Sequence, residues 1–238
     1  MIDLHNHLLS GLDDGPKTFS ESKIILEKSS KQGINRILAT PHRKDVLENQ
    51  ASQSLIDQVE LLNQYSIQSE LNVEVYVGME NHLDTTLCEL AMKGIAFTIN
   101  YGSYILVEPP YTDNFDDDFY FQLKELQANG LIPLIAHPER MKGFDNNPNL
   151  IEILKNHGNL MQITSGSVLG KFGAEVKTFS NELLDLDLVD VIASDTHMST
   201  GKREQDLIDA YECVLFEYGK DRAEKIFKKL PEMLLFGN

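Results

Sequence analysis

Short apolar runs alternate with longer amphipathic stretches along nearly the whole chain. The amphipathic stretches repeat their apolar residues with helical spacing and therefore predict helices. These lie over 18–32, 48–69, 83–93, 149–157 and 175–186. A further helix is predicted between the acidic loop 113–118 and Gly130, and residues 204–235 are also predicted to be helical. Thr18 and Glu21 form the capping-box pattern at the start of the first helix. The apolar runs are short enough to be buried strands, and they lie at 2–4, 34–40, 73–77, 104–107, 131–136, 160–164 and 188–193.

This alternation predicts βα units that build a parallel sheet. Polar side chains follow the last apolar residue of six of these runs: His5 and His7, His42, Glu80, Glu108, His137, and Asp195 with His197. An open sheet would spread these strand ends along a line, whereas a barrel closes them into one rim where active sites are assembled. The sequence therefore predicts an α/β fold, a distorted (β/α)7 TIM-like barrel, with residues 1–238 as a single domain because no repeat or linker interrupts them.

The first strand carries the most concentrated chemistry. Its imidazoles, His5 and His7, are two residues apart and so point to one face of an extended chain. Asp13 and Asp14 follow in a turn and lie close enough in sequence to add a carboxylate. Two imidazoles and a carboxylate that converge are typical of part of a metal site. For the first strand taken alone, an equally good interpretation is that the two histidines are polar loop residues with no ligand.

Each of the other polar residues also has an ordinary explanation when taken alone, as a loop cap, a surface carboxylate or a core histidine. Independent accidents at so many strand ends are much less credible than a shared site. The candidate ligands together outnumber the needs of a single zinc ion and suit several divalent cations. They are His5, His7, Asp14, His42, Glu80, Glu108, His137, Asp195 and His197.

Composition limits the classes of binding partner and the cellular compartment that are consistent with the sequence. A formal net charge of −16 argues against nucleic-acid binding, while bound cations would still admit an anionic substrate. The apolar runs are too short to span a membrane, and no basic segment of a signal peptide precedes the first of them. Cys88 and Cys213 are far apart in the sequence, and we expect both to be buried free thiols, as is usual for a protein of the reducing cytoplasm. Neither begins a C-x5-R phosphate loop, because Gly94 and Gly219 stand where the arginine is needed.

The motifs resemble a known family. M-I-D-L-H-N-H, D-D-G-P, T-P-H-R, G-M-E, V-E-P, I-A-H-P-E-R, Q-I-T-S-G-S and I-A-S-D-T-H occur in this order from Met1 to just beyond His197. They resemble the polymerase and histidinol phosphatase (PHP) superfamily, and within it the bacterial tyrosine-protein phosphatases of capsular and exopolysaccharide loci. The resemblance implies a distorted barrel of the PHP type with three divalent metal ions. Manganese is the expected metal, with iron, magnesium and zinc as alternatives.

Carried over by motif, the resemblance also implies which residues share each ion. His5, His7, Glu80 and Asp195 would hold the first ion. Glu80, Glu108 and His137 would hold the second, so that Glu80 bridges the two. Asp14, His42 and His197 would hold the third.

Phosphoryl transfer depends on positioning and charge neutralisation, so we expect a guanidinium to face the metals. Arg140 is the first candidate and Arg43 the second, with a plain salt bridge as the equal alternative for Arg43. The family usually has an arginine five residues after the last histidine of the motifs, where this chain has Lys202, followed by Arg203. The candidate catalytic residues are thus Arg140, Arg43 and Asp195. The candidate substrate-binding residues are Arg140, Arg43, Lys202 and Arg203.

The predicted function is a cytoplasmic, metal-dependent hydrolase of phosphotyrosine. Its expected partner, a membrane-associated bacterial tyrosine autokinase of polysaccharide export, comes only from the resemblance, since the residues themselves argue no further than phosphomonoester hydrolysis. The alternatives are a small-molecule phosphatase such as histidinol phosphatase and a non-catalytic barrel that binds the kinase. The acidic loop 113–118 and four tyrosines either shape the access of a peptide to the site or have ordinary roles, the loop as a solvated segment and the tyrosines in core packing. The tyrosines are Tyr101, Tyr104, Tyr111 and Tyr120.

Overall fold

A computed structural model describes residues 1–237, and its centre is a ring of parallel strands. β1, β2 and β3 pair in that order in one sheet, and β4 to β8 pair in order in a second. Every pairing is parallel. The strands are β1 (Ile2–Asn6), β2 (Arg36–Ala39), β3 (Glu74–Val77), β4 (Asn81–His82), β5 (Tyr104–Glu108), β6 (Ile132–Ala136), β7 (Leu160–Thr164) and β8 (Val191–Ala193).

The two sheets join at both ends. Only three residues separate β3 from β4, and among them Gly78 leaves room for Leu38, since a Cβ there would lie 2.9 Å from Leu38 Cγ. On the far side the Asp195 amide donates to the His5 carbonyl, and the His7 amide donates to the Thr196 carbonyl, each at 2.8 Å. The strand ends therefore form the ring that the sequence predicts, with β4 as a short continuation of the third predicted strand. The distorted (β/α)7 barrel is confirmed.

Helices surround this ring. The capping box is present, because the Thr18 side chain accepts from the Glu21 amide while the Glu21 carboxylate accepts from the Thr18 amide. The helices are α1 (Phe19–Lys31), α2 (Arg43–Glu48), α3 (Ser52–Gln68), α4 (Leu87–Met92), α5 (Asp117–Ala128), α6 (Lys142–Asp145), α7 (Asn149–Asn156), α8 (Ser165–Val168), α9 (Ala174–Asp185), α10 (Leu207–Tyr218), α11 (Lys220–Glu224) and α12 (Leu230–Phe236). Within residues 1–237, no helix is both long enough and apolar enough to cross a membrane.

Two predicted helices are broken in the structure. The stretch predicted as one helix over 48–69 divides into α2 and α3, because Gln50 between them has a positive φ of 52°. The remainder over 204–235 divides at Gly219, whose φ of 82° suits a residue without a Cβ. A single turn of π-helix, Lys225–Lys229, then joins α11 to α12. Both breaks turn the chain without interrupting its amphipathic pattern.

The apolar core has two parts. The larger part lies between the strands and the helices, and includes Ile37, Ile105 and Ile135. The neighbouring residues on the same strands face the other way and form a smaller cluster, to which Leu234 and Leu235 of α12 also belong. That smaller cluster lies below the rim, so the carboxyl ends of the strands are left for polar side chains.

Candidate metal centre

The nine predicted ligands all lie at the rim of the barrel, where they form one cluster. At its centre is Glu80, which is 1% exposed and is the last residue of the break between β3 and β4. Its Oε2 lies 3.4 Å from His5 Nε2 and 3.3 Å from His7 Nε2. It also lies 2.9 Å from His42 Nδ1, and Glu80 Oε1 lies 2.8 Å from His137 Nε2. One buried carboxylate therefore faces imidazoles from three different strand ends.

The two histidines of β1 are held in fixed orientations. His5 Nδ1 donates to Gln162 Oε1 at 2.8 Å, and His7 Nδ1 donates to Asp13 Oδ2 at 2.7 Å. These bonds direct both Nε2 atoms inward, where they lie 3.1 Å apart. Two imidazole nitrogens that face each other beside a carboxylate are arranged as ligands of a cation, and a hydrogen-bonded outer partner is typical of metal-binding histidines.

Gln162 was not among the residues predicted for the site, and Asp13 was considered with Asp14 as a source of a carboxylate but was not among the nine predicted ligands. Signals for both were present in the sequence, since Asp13 belongs to the D-D-G-P motif and Gln162 to Q-I-T-S-G-S. What the sequence did not show was the direction of these side chains. Gln162 reaches His5 across 157 residues of chain.

His137 and Asp195 have unusual backbone conformations. His137 has a φ of 35° and Asp195 a φ of 53°, values that non-glycine residues rarely adopt. Such conformations cost free energy and persist where the surrounding structure imposes them, frequently at active sites. Both residues follow the last residue of a strand, β6 and β8, and the Asp195 carboxylate lies 3.4 Å from His5 Nε2 and 3.5 Å from His7 Nε2.

A second group gathers on the more open side of the cluster. Asp14 Oδ1 lies 3.0 Å from His197 Nε2 and 3.5 Å from His42 Nε2. The geometry of the Asp14–His197 contact is not that of a hydrogen bond, so the buried Nε2 of His197 has no hydrogen-bond partner among residues 1–237. The His7 and His197 rings stack with their centroids 3.7 Å apart. Donor atoms of His7, Asp14, His42 and His197 come close enough together to share one ion.

Glu108 completes the opposite side. Its carboxylate lies 3.9 Å from His137 Nε2 and 3.5 Å from His82 Nδ1. Donor atoms of His42, Glu80 and Glu108 form another group that could hold an ion, as do those of His5, His7 and Glu80. His82 is an imidazole that the sequence argument did not include. The donor set of imidazole nitrogens and carboxylate oxygens fits manganese, iron or zinc.

The protonation equilibria of the cluster reflect its buried charges. Burial lowers the pKa of His7, but the Asp13 carboxylate outweighs it and raises the pKa to about 9. Burial also lowers the pKa of His42, but the neighbouring Asp14 and Glu80 carboxylates outweigh it and raise the pKa to about 11. For His197, burial and the neighbouring His7 charge bring the pKa down to about 4.

The central carboxylates remain ionised. Burial favours the neutral form of Glu80, yet the imidazoles around it, His5 first, hold its pKa well below the usual range. Asp195 behaves in the same way, with its pKa held down chiefly by His5 and His197 against the effect of burial. The rim thus presents buried anionic oxygens that require positive charge, from protons or from metal ions.

Two arginines supply some of that charge. Arg140, in a short 3-10 turn after His137, places Nη1 2.5 Å from Asp195 Oδ2. Arg203 places Nη2 3.2 Å from both Asp195 oxygens, and its Nη1 lies 3.4 Å from Asp14 Oδ2. Lys202, its neighbour, is exposed. Arg140 makes no salt bridge with the preceding residue, Glu139, because the Glu139 carboxylate is buried against Thr164 and Ser167.

Arg43 is placed differently. It is buried, and its Nη2 donates to Asp84 Oδ2 at 2.5 Å and to the His82 carbonyl at 3.0 Å. It lines a cavity of about 290 Å³ together with His42, Glu80, His82 and Glu108. The salt bridge considered for Arg43 is therefore present, and any contact with a phosphate group stays a prediction.

The cysteines lie away from these residues. Cys88 is on α4, where its Sγ is 3.7 Å from the Glu125 carbonyl, and Cys213 is on α10. Burial raises the pKa of both thiols, so neither is a thiolate at neutral pH. Both are free thiols, as the sequence predicts, but only Cys88 is buried as expected, since Cys213 is partly exposed.

A parallel barrel with imidazoles and carboxylates at its rim defines the class of metal-dependent hydrolases. Comparison with known proteins specifies the family. The chain matches the model of the family described as capsular polysaccharide synthesis, CpsB/CapC, over residues 1–236, and it belongs to that family. The family resemblance predicted from the motifs is confirmed.

Individual relatives agree with this assignment. The tyrosine-protein phosphatase YwqE of Bacillus subtilis is 33% identical over 199 residues, covering 83% of this chain and 77% of the relative. The tyrosine-protein phosphatase CpsB of Streptococcus agalactiae is 27% identical over 241 residues, covering 99% and 98% of the two chains.

A solved structure supports the fold. It belongs to the crystal structures of YwqE from Bacillus subtilis and CpsB from Streptococcus pneumoniae, which are described as unique metal-dependent tyrosine phosphatases. The two structures superpose with a TM-score of 0.91 at 31% sequence identity, and the match covers 99% of this chain and 94% of the solved chain. An adenine deaminase from Arthrobacter aurescens, with a TM-score of 0.54 at 10% identity over 98% of this chain and 96% of the other, shares the fold alone.

Proposed function

We propose that this protein is a metal-dependent tyrosine-protein phosphatase of capsular polysaccharide synthesis. The single observation that carries the proposal is the cluster around Glu80, in which a buried carboxylate faces four imidazoles. Membership of the CpsB/CapC family supports the same activity. Residues 1–238 act as one domain in this proposal, since the strand ends of both sheets meet in one ring.

The ligand division implied by the motifs is retained as part of the proposal. His5, His7, Glu80 and Asp195 would hold one ion, and Glu80 would be shared with a second ion held by Glu108 and His137. The short distances from Glu80 to His5, His7 and His137 support its bridging position. Asp14, His42 and His197 would hold a third ion. Manganese is the proposed metal.

Bound divalent ions would polarise the phosphate oxygens and make water a nucleophile at neutral pH. The chain's own residues then bind and orient the substrate. Arg140 and Arg203 both contact Asp195, so their guanidinium groups lie at the border of the metal cluster and can pair with phosphate oxygens. Arg43 and Lys202 remain secondary candidates for the same contact. Asp195 keeps its negative charge and fixes the two arginines beside the reacting group.

The proposed substrate is phosphotyrosine on a membrane-associated bacterial tyrosine kinase, and the proposed location is the cytoplasm. The test is hydrolysis of a phosphotyrosine peptide by protein loaded separately with manganese, iron, magnesium or zinc. Histidinol phosphate serves as the competing substrate. Higher kcat/KM on histidinol phosphate would favour the small-molecule phosphatase, and metal-loaded protein that turns over neither substrate would favour a non-catalytic binding protein.

A further inference from the structure

Tyr111 is an aromatic residue at the rim that the metal cluster does not use. It follows the end of β5 after Pro109 and Pro110, whose rings restrict the backbone there. Its own ring lies nearly parallel to that of His137, with the centroids 6.5 Å apart and an angle of 26° between the planes. The residue is nevertheless 61% exposed. Tyr111 therefore stands beside a proposed ligand and keeps much of its surface open.

A cavity connects Tyr111 with Arg140. Its volume is about 490 Å³, and it is lined by Tyr111, Thr112, Asp113, Arg140 and Lys142. Arg140 forms its inner border, because the same guanidinium reaches the Asp195 carboxylate. A phosphate group paired with Arg140 would leave its ester substituent in this cavity.

The position of Arg140 is itself supported by a second aromatic ring. Its guanidinium carbon lies 4.7 Å from the centre of the Phe172 ring. Phe172 fits closely over Gly166, where an added Cβ would lie 2.8 Å from Phe172 Cε2. Phe172 thus holds Arg140 on one side, and Tyr111 provides an aromatic surface in the cavity that Arg140 borders.

We propose that the Tyr111 ring stacks against the aromatic ring of phosphotyrosine and makes the site selective for aryl over alkyl phosphates. This inference rests on the proposed phosphatase function. An aryl ester carries a flat apolar ring next to its leaving oxygen, and offset stacking on another ring is the preferred way to bury it.

Stacking requires the ring and not the hydroxyl. The proposed contact uses the face of the Tyr111 ring and makes no use of its hydroxyl. Tyr111→Phe should therefore keep the selectivity, whereas Tyr111→Ala should lose it. Tyr101 is a matched control, because it is 60% exposed and packs on Phe97 beside the start of β5, away from the strand ends that form the rim.

The test compares binding of benzylphosphonate and ethylphosphonate to manganese-loaded protein by calorimetry. We expect the wild type, Tyr111→Phe and Tyr101→Ala to bind benzylphosphonate about tenfold more tightly than ethylphosphonate, and Tyr111→Ala to lose most of that preference. Affinity for ethylphosphonate should be the same in all four proteins. Equal weakening of both ligands in Tyr111→Ala, or an unchanged preference, would overturn the proposal.

Kinetics separate this inference from the proposed function. The same four proteins are assayed on a phosphotyrosine peptide and on its phosphoserine counterpart. Tyr111→Ala should raise KM for the phosphotyrosine peptide about tenfold, with a smaller change in kcat, because the lost contact is present in the ground state as well. Wild-type protein that hydrolyses neither peptide contradicts the phosphatase assignment, whereas normal turnover with an unaltered KM in Tyr111→Ala contradicts only the stacking.

Discussion

Arg140 and Asp195 form an ion pair at the mouth of the metal cluster. The two residues come from the ends of β6 and β8, and Nη1 of Arg140 lies 2.5 Å from Oδ2 of Asp195. Asp195 in turn lies within 3.5 Å of both histidines of β1. Burial opposes the charge of Arg140, but the Asp195 carboxylate overcomes this and raises the pKa of the guanidinium. A permanent positive charge is therefore held where a phosphate group would meet the metal ligands.

Replacing Arg140 tests that arrangement. Arg140→Ala should lower kcat about a hundredfold to a thousandfold with a smaller change in KM, because a contact to developing charge is stronger in the transition state. Arg140→Lys should recover little, since an ammonium group lacks the bidentate fork. Turnover and metal content are measured on the same preparation. Full activity per metallated enzyme, accompanied by a lower melting temperature, would indicate that Arg140 only braces its loop.

Arg203 and Lys202 allow a comparison of neighbours. Arg203 contacts Asp195 and Asp14, whereas Lys202 is exposed. Arg203→Ala should therefore reduce kcat/KM on a phosphotyrosine peptide at least tenfold, while Lys202→Ala should change it less than twofold. Steady-state kinetics of the two variants provide the measurement. A larger loss of kcat/KM in Lys202→Ala than in Arg203→Ala would contradict the prediction and would indicate that the loop moves when substrate binds.

The central carboxylate should dominate metal retention. Glu80→Gln should lose more metal and more activity than Glu108→Gln, because Glu80 faces four imidazoles and Glu108 faces His137 and His82 at longer range. Elemental analysis of manganese-replete protein provides the measurement. More than one ion per chain is expected in the wild type. At most one ion would rule out the three-metal arrangement, and equal losses in the two variants would argue against bridging by Glu80.

The carboxylate that orients His7 should matter almost as much as a ligand. Asp13→Asn keeps the shape of the side chain but removes the negative charge that pairs with His7 Nδ1. Losses of about tenfold to a hundredfold in metal affinity are typical of such outer contacts. Titration of metal-free protein with manganese measures the change. Asp57→Asn, exposed on α3, is the control and should bind manganese like the wild type.

Hydrolysis should require metal and no thiol. A chelator should abolish activity, and manganese should restore it. The double variant Cys88→Ser with Cys213→Ser should retain nearly full activity, because both thiols lie on helices and have raised pKa values. A double variant with a normal melting temperature but no turnover would contradict this prediction.

Local patterns in the sequence determined the barrel and its ligands. Strand and helix periodicity are properties of short segments, and the ends of parallel strands in a closed ring must meet, so histidines and carboxylates at those ends could be assigned to one site. The capping box of Thr18 and Glu21 was predictable for the same reason, since its hydrogen bonds span three residues. Family motifs then supplied the activity that spacing alone did not.

Tertiary structure decided where side chains at the rim point. Gln162 reaches His5 and Arg43 reaches Asp84 across long stretches of chain, and such pairings depend on how whole elements pack. The positive φ of Asp195 is likewise imposed by the surrounding contacts, because an aspartate tolerates this conformation but does not require it. Only the folded chain shows that Arg203, one residue beyond the expected position, contacts Asp195, because a loop's conformation is fixed by what it packs against and not by its spacing in sequence.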